Sequence, residues 1–249
     1  MERAYNVLVV DDEPVNVRIT LAHLARLGHA ADAVEDGARA LEQLARRRYD
    51  AVLMDCHMPN LDGYETTRRL RVLEHGSRRT PVIAVTAYAV VGERERCLAA
   101  GMDDYLAKPF RAEELGAILT RWLGQGAADE APAAAAPAVA MDEGIVATLR
   151  QLGILGRVVP LFLGKLDERL STLRARLAGG DLDSVRSIAH TLCGASGQVG
   201  AAGFSAACRR VEHAAAAGDA AAVAAALDEV EAVAPATVAA LDAELRGRR

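Results

Sequence analysis

No stretch of this 249-residue chain supplies the ~20 consecutive apolar residues that a bilayer-spanning helix needs, although 51% of its residues are hydrophobic. The first apolar run, Val7–Val10, meets Asp11 and Asp12 at once, too short and too soon interrupted for a signal peptide. A cytoplasmic protein without a membrane segment is expected. Paired cysteines are missing as well: Cys56, Cys97, Cys193 and Cys208 form no C-x-x-C pair, which argues against a zinc site or a disulfide framework. There is no basic stripe either. The net charge is −5, with arginines scattered among glutamates, so no direct nucleic-acid partner is expected.

Large side chains almost vanish between Gly124 and Ala140, where alanines surround Pro132 and Pro137. Such a segment has little to bury and reads as a semi-extended tether. It divides the chain into domains 1–123 and 141–249, with 124–140 as linker.

The first domain alternates. Short apolar runs at Val7–Val10, Ala51–Met54, Val82–Val85 and Tyr105–Ala107, with a weaker one at Ala30–Val34, are separated by segments of helical period. Thr20, Leu21, Leu24 and Leu27 mark one such segment; Ala38, Leu41 and Leu44 mark another; Tyr64, Thr67, Leu70 and Leu73 mark a third. This pattern predicts an α/β doubly wound parallel five-stranded sheet with helices on both faces. The second domain has no strand-like alternation. Leucine and alanine at helical spacing predict an all-α four-helix bundle with helices over 154–178, 181–197, 203–217 and 219–246. Pro160 is expected in the first turn of its helix or at a kink, and Pro235 is expected to kink or split the last helix.

Four of the apolar runs in the first domain end in chemically useful residues: Asp11 and Asp12, Asp55, Thr86 and Lys108. In a parallel sheet these points share one edge, where open α/β sheets bind ligands. Clustered carboxylates repel one another, and either protons or a hard cation relieve the repulsion. Mg2+ suits such oxygens. Lysine adds a positive charge and threonine a hydroxyl donor, so a phosphoryl group carried on one carboxylate would meet its counter-charges in place. Taken singly, each residue has a plainer reading. Asp11 and Asp12 could cap a helix that starts at Pro14, Asp55 could be a loop acid and Lys108 a surface lysine.

The segments VLVVDDEP, AVLMDCHMPNLDGYE, VIAVTAY and DDYLAKPF, in this order, resemble the signature of two-component receiver domains. The resemblance implies that Asp55 is the phosphoacceptor. It implies Mg2+ on Asp12, Asp55 and the backbone carbonyl of His57, with Asp11 acting through water. Thr86 and Lys108 would contact the phosphoryl oxygens, Tyr105 would be the switch aromatic, and the Lys108–Pro109 bond would be cis. His57 and Tyr88 hold positions that influence how long the acyl phosphate survives. No second histidine stands at ligand spacing to His57, so its backbone role is preferred to a metal-ligand side chain.

In the second domain Leu182, Val185, Ile188, Ala189 and Leu192 form an apolar helix face. His190, roughly 200° round the helix from Ile188, is expected to face solvent, and Gly194 one turn on would leave its imidazole open to another molecule. Spacing alone makes it an ordinary surface histidine. The segment AHTLCGASGQVGAAGF, however, resembles the motif of histidine-containing phosphotransfer domains, which implies that His190 carries a phosphoryl group. One departure stands out. Cys193 occupies the place, three residues after the histidine, where that family usually has a phosphate-neutralising lysine, leaving Arg186 to compensate from the preceding turn.

Together these resemblances imply a phosphorelay protein. A sensor histidine kinase donates to Asp55, and His190 passes the group to a downstream response-regulator receiver. No glycine-rich ATP signature and no kinase dimerisation histidine are found in the sequence, so it cannot make phosphohistidine from ATP alone. Two alternatives are a C-terminal fragment of a hybrid histidine kinase and a receiver-driven binding module in which His190 is idle.

Overall fold

A computed structural model of the chain describes residues 4–74, 79–86, 93–124 and 141–247. The chain separates into two compact units, Met1–Ala135 and Ala136–Arg249.

In the first unit five strands alternate with five helices: β1 (Asn6–Val10), α1 (Pro14–Arg26), β2 (Ala30–Val34), α2 (Gly37–Arg46), β3 (Ala51–Asp55), α3 (Gly63–Glu74), β4 (Val82–Thr86), α4 (Glu93–Ala99), β5 (Asp104–Ala107) and α5 (Ala112–Leu123). All strand pairs are parallel and the order is β2-β1-β3-β4-β5. The central strands read as unbroken apolar runs because both their faces are buried. Val7 and Val9 pack with Leu24, Leu115 and Leu119 on one side, while Leu8 and Val10 pack with Ala40, Tyr64 and Leu70 on the other. The expected doubly wound sheet is what the chain forms. Its strand order reverses between β1 and β3, which opens the crevice at their carboxyl ends.

Two details of the helical periodicity are corrected. Leu73 is 59% exposed, although Tyr64, Thr67 and Leu70 are buried. Steps of three residues lag a helix turn by about 60° each, so nine residues carry Leu73 about 180° away from Tyr64. On α2 Leu41 and Leu44 pack against the core beside Gly37 and Ala40, and only Ala38 of the expected stripe is exposed.

The second unit contains α6 (Glu143–Gln151), α7 (Leu155–Ala178), α8 (Leu182–Gln198), α9 (Ala202–Ala216) and α10 (Ala220–Arg246). The last four are the expected bundle, and α6 is an addition. Asp142 starts α6 by accepting hydrogen bonds from the backbone N–H groups of Gly144 and Ile145, at 3.0 and 3.1 Å. Asp181 and Asp219 cap α8 and α10 in the same way. Pro160 lies in the sixth position of α7, and Pro235 does not split α10, which runs on to Arg246. Leu173, Val185, Phe204, Val211, Leu227 and Val230 are among the buried side chains of the bundle. Among the described residues no helix is long and apolar enough to cross a membrane.

Candidate functional site

The parallel sheet delivers its strand ends to one place. Asp11 and Asp12 follow β1, Asp55 closes β3, Thr86 closes β4 and Lys108 follows β5. Ligand oxygens of Asp11, Asp12 and Asp55 lie within 4.8 Å of one another. The Lys108 ammonium donates to Asp11 Oδ2 and to Asp55 Oδ2, each at 2.7 Å. All of these side chains are buried except that of Asp12, which is half-buried and marks the mouth of the crevice.

Such a cluster is electrostatically loaded. Burial pushes Asp11 up to about 7, with the Asp55 charge adding to the rise and the Lys108 ammonium pulling against it. Burial, and then the Asp55 charge, pushes Asp12 up to about 6. Burial also opposes the charge on Lys108, but the carboxylates of Asp11 and Asp55 outweigh it and hold the ammonium above its usual range.

The surrounding backbone holds the cluster in position. The His57 N–H donates to Asp55 Oδ1 at 3.1 Å, and the Lys108 N–H donates to the Thr86 carbonyl at 2.6 Å. The expected cis peptide is present at Lys108–Pro109. Tyr105 is half-buried and packs on the core beside α4. The ring of His57 meets Tyr64 edge-on, with centroids 5.7 Å apart. Tyr88 lies outside the described residues, as do residues 125–140 of the expected linker.

The plainer reading of Asp11 and Asp12 as helix caps is replaced. Glu13 is the cap of α1, ahead of Pro14, and Asp11 instead accepts from the Glu13 N–H at 2.9 Å and from Asn16 Nδ2 at 3.2 Å. Spacing alone does not reveal either partner. Spacing does not reveal the role of Gly63 either. A Cβ there would stand 2.1 Å from the Asp55 carbonyl oxygen, so only glycine lets α3 start against the end of β3.

In the second unit the exposed histidine is corrected: His190 is 5% exposed. Its Nδ1 lies 2.9 Å from Oε1 of Glu212 on α9. A helix inside a bundle is covered by more than one neighbour, so its buried arc is wider than its apolar stripe. From Leu192 to Gln198 every residue of α8 is buried. The close approach expected at Gly194 is made here by α9, whose Ser205 hydroxyl donates to the Cys193 carbonyl at 2.8 Å.

Glu212 went unnoticed in the sequence, yet it carried a signal. It stands four residues after Cys208 and three before Ala215, a carboxylate inside a buried stripe. A carboxylate accepts only, so pairing it with Nδ1 assigns the imidazole proton to Nδ1 and the lone pair to Nε2.

Comparison with known proteins identifies the family of each domain. The response regulator receiver domain family matches residues 7–120, and the Hpt domain family matches residues 157–245. Sensor histidine kinase GacS of Pseudomonas protegens is 32% identical over 221 residues, covering 84% of this chain and 24% of that protein. Sensor histidine kinase RcsC of Escherichia coli K12 is 43% identical over 114 residues, 46% of this chain and 12% of that protein. The chain thus spans about a quarter or less of the length of these curated relatives. Among solved structures, the receiver domain of sensor histidine kinase PA1611 from Pseudomonas aeruginosa, described with a magnesium ion in its active-site cleft, is 50% identical. The match covers 49% of this chain and all of that one, with a TM-score of 0.46.

Proposed function

The chain belongs to the receiver-domain and Hpt families of two-component signalling, and on that premise we propose that it is a phosphorelay intermediate whose acceptors are Asp55 and His190. The observation that carries this reading is the Lys108 ammonium held 2.7 Å from both Asp11 and Asp55 at the crevice of the sheet.

The donor set suits a small hard cation: three carboxylates against one ammonium, with the pKa values of two of them raised by crowding and burial. Asp12, Asp55 and the His57 carbonyl would hold Mg2+, with Asp11 acting through water. When bound, the ion supplies positive charge to the phosphoryl oxygens. The remaining work belongs to the protein. An Asp55 carboxylate oxygen attacks the phosphorus of a kinase phosphohistidine; the P–O bond forms as the P–N bond breaks, and the imidazole leaves with the electron pair. Lys108 and the Thr86 hydroxyl donate to the phosphoryl oxygens, and Tyr105 follows the movement of Thr86.

The second transfer uses His190. Glu212 holds the Nδ1 proton, which orients the ring and leaves Nε2 to attack the acyl phosphate. The P–N bond forms, the P–O bond breaks and Asp55 recovers its carboxylate. The Ala/Pro-rich segment 124–140 would tether the two acceptors and raise their effective concentration. A sensor histidine kinase is the donor, and the receiver of a downstream response regulator takes the group from His190. The protein itself works in the cytoplasm by this reading.

The test is to incubate wild type, Asp55→Asn and His190→Gln with a labelled, phosphorylated histidine kinase. Wild type should carry base-labile and base-stable label, His190→Gln only base-labile, and Asp55→Asn none. Base-stable label on Asp55→Asn would remove Asp55 from the route.

A second reading is favoured by length. Because the chain spans 24% of GacS, it would serve as the phosphotransfer part of a hybrid histidine kinase. Sequencing the gene upstream of Met1 decides this: a kinase core in frame supports it, and a stop codon ahead of Met1 ends it.

A further inference from the structure

His190 is held by a carboxylate and not by a cation. Its Nδ1–H donates to Glu212 Oε1, and Glu212 Oε2 is buried with no hydrogen-bond partner among the described residues. An incoming phosphoryl group brings further negative charge to this spot. The neighbour one turn on, Cys193, is a buried thiol. Burial pushes that thiol up, against the pull of a nearby guanidinium, so it adds no positive charge. A cation has to come from elsewhere.

Two arginines are near in sequence or space. Arg186 lies one turn before His190 on α8, but helical side chains lean toward the N-terminus of their own helix. A cation placed after His190 leans toward it, whereas Arg186 leans away. Arg209 lies on α9 between two residues whose contacts are known. Ser205, four residues before it, donates to the Cys193 carbonyl at 2.8 Å, and Glu212, three residues after it, meets His190 at 2.9 Å. These three positions share one face of α9. The two contacts run antiparallel along α8, so the N-terminal lean of Arg209 carries its guanidinium toward Cys193. There its charge pulls against the burial that raises the thiol's pKa, while the thiol itself lies 3.4 Å from the Ser205 hydroxyl. Arg209 is exposed, and no carboxylate among the described residues pairs with it, whereas its neighbour Arg210 is paired with Glu229 at 2.7 Å.

We propose that Arg209 supplies from α9 the positive charge that the turn after His190 lacks, binding the phosphoryl oxygens as the group is attached to Nε2. This rests on the reading of His190 as a phosphoacceptor. The guanidinium, not paired with a carboxylate among the described residues, would meet charged phosphoryl oxygens, which accept strongly. The transfer itself is unchanged: Nε2 forms the P–N bond, the donor's bond to phosphorus breaks, and Nδ1 keeps its proton, donated to Glu212.

The experiment uses the full chain with Asp55→Asn, so that only base-stable label is read, and phosphoramidate as donor. Arg209→Ala should slow labelling of His190 roughly tenfold, while Arg186→Ala should stay within about twofold of the parent. Cys193→Lys added to Arg209→Ala should restore most of the rate, a rescue that a purely structural role of Arg209 does not predict. Should Arg209→Ala melt below the assay temperature, Arg209→Gln, which keeps length and hydrogen bonding but not charge, is read in its place. Parental labelling by Arg209→Ala or Arg209→Gln, or no rescue by Cys193→Lys in a folded protein, overturns the proposal. A parent that carries no base-stable label removable by His190→Gln refutes the phosphoacceptor reading itself, and with it this proposal.

Discussion

Asp55 and His190, the two proposed acceptors, are both buried, yet their charged surroundings are opposite. Around Asp55 the charge is dense and internal: two further carboxylates and one ammonium, contributed by the ends of β1, β3 and β5. Beside His190 stands one carboxylate, Glu212, and the arginines Arg186 and Arg209 are exposed at the rim. The first site is made by sheet topology, which gathers distant residues at one edge, and it carries more negative than positive charge. The second is made by the packing of two adjacent helices and, among the described residues, has no cluster of acids. The acidic cluster that suits a divalent cation is therefore a feature of the first site.

The sharpest way to break this contrast is to remove divalent metal. A chelator should cut labelling of Asp55 by about 100-fold, because phosphoryl transfer relies on charge neutralisation, and should leave phosphoramidate labelling of His190 within about twofold. Equal losses at both sites would erase the distinction.

Lys108→Met attacks the same contrast through stability. Removing the ammonium leaves Asp11 and Asp55 buried without their partner, and metal-free protein should lose about 3 kcal/mol or more at pH 8 by denaturant melts. The loss should shrink toward pH 5, where the carboxylates take up protons. No substitution at His190 should behave this way.

In the parent protein the same titration has a definite sign. Asp11 and Asp12 have pKa values raised to about 7 and about 6, above their usual value of 3.8, so their ionisation weakens the fold. Their contribution to stability is present below pH 4 and is lost as pH rises through 6 to 7. Mg2+ binds the ionised form, so the rise in Tm it produces should be larger at pH 8 than at pH 5.5. An equal rise at both would contradict the acidic cluster as the metal site.

Gly63→Ala tests how tightly the first site is built. Alanine is the better helix former, but its Cβ would meet the Asp55 carbonyl oxygen at 2.1 Å. A loss of about 2 kcal/mol is expected in place of a gain. At His190 the smallest effect is expected from Glu212→Gln, which keeps an acceptor for Nδ1 and should change the labelling rate by about threefold or less. Glu212→Ala should slow it further.

The first site was legible in the sequence because parallel strands end in one place: knowing where Val7–Val10, Ala51–Met54, Val82–Val85 and Tyr105–Ala107 stop is enough to bring Asp11, Asp12, Asp55, Thr86 and Lys108 together. The partners of these residues were not legible. Glu13 and Asn16 meet Asp11 through loop geometry, and Cys56 and Cys97, 41 residues apart, place their sulfurs 3.7 Å from each other only once α4 packs on the sheet. The bundle was less legible still. One helix's periodicity shows its own apolar stripe but not which neighbours will cover the rest, so His190 reads as exposed until α9 is laid against it. Leu73 shows the same limit, since a run of three-residue steps drifts off the buried face.

The central claim is that the phosphoryl group moves from Asp55 to His190. Wild-type protein loaded with acetyl phosphate in the presence of Mg2+ and followed in time provides the most direct test. Base-labile label should appear first and base-stable label should grow as it decays, with His190→Gln holding only the first kind. Base-stable label that never forms while Asp55 is loaded, or that forms equally well in Asp55→Asn, would contradict the account.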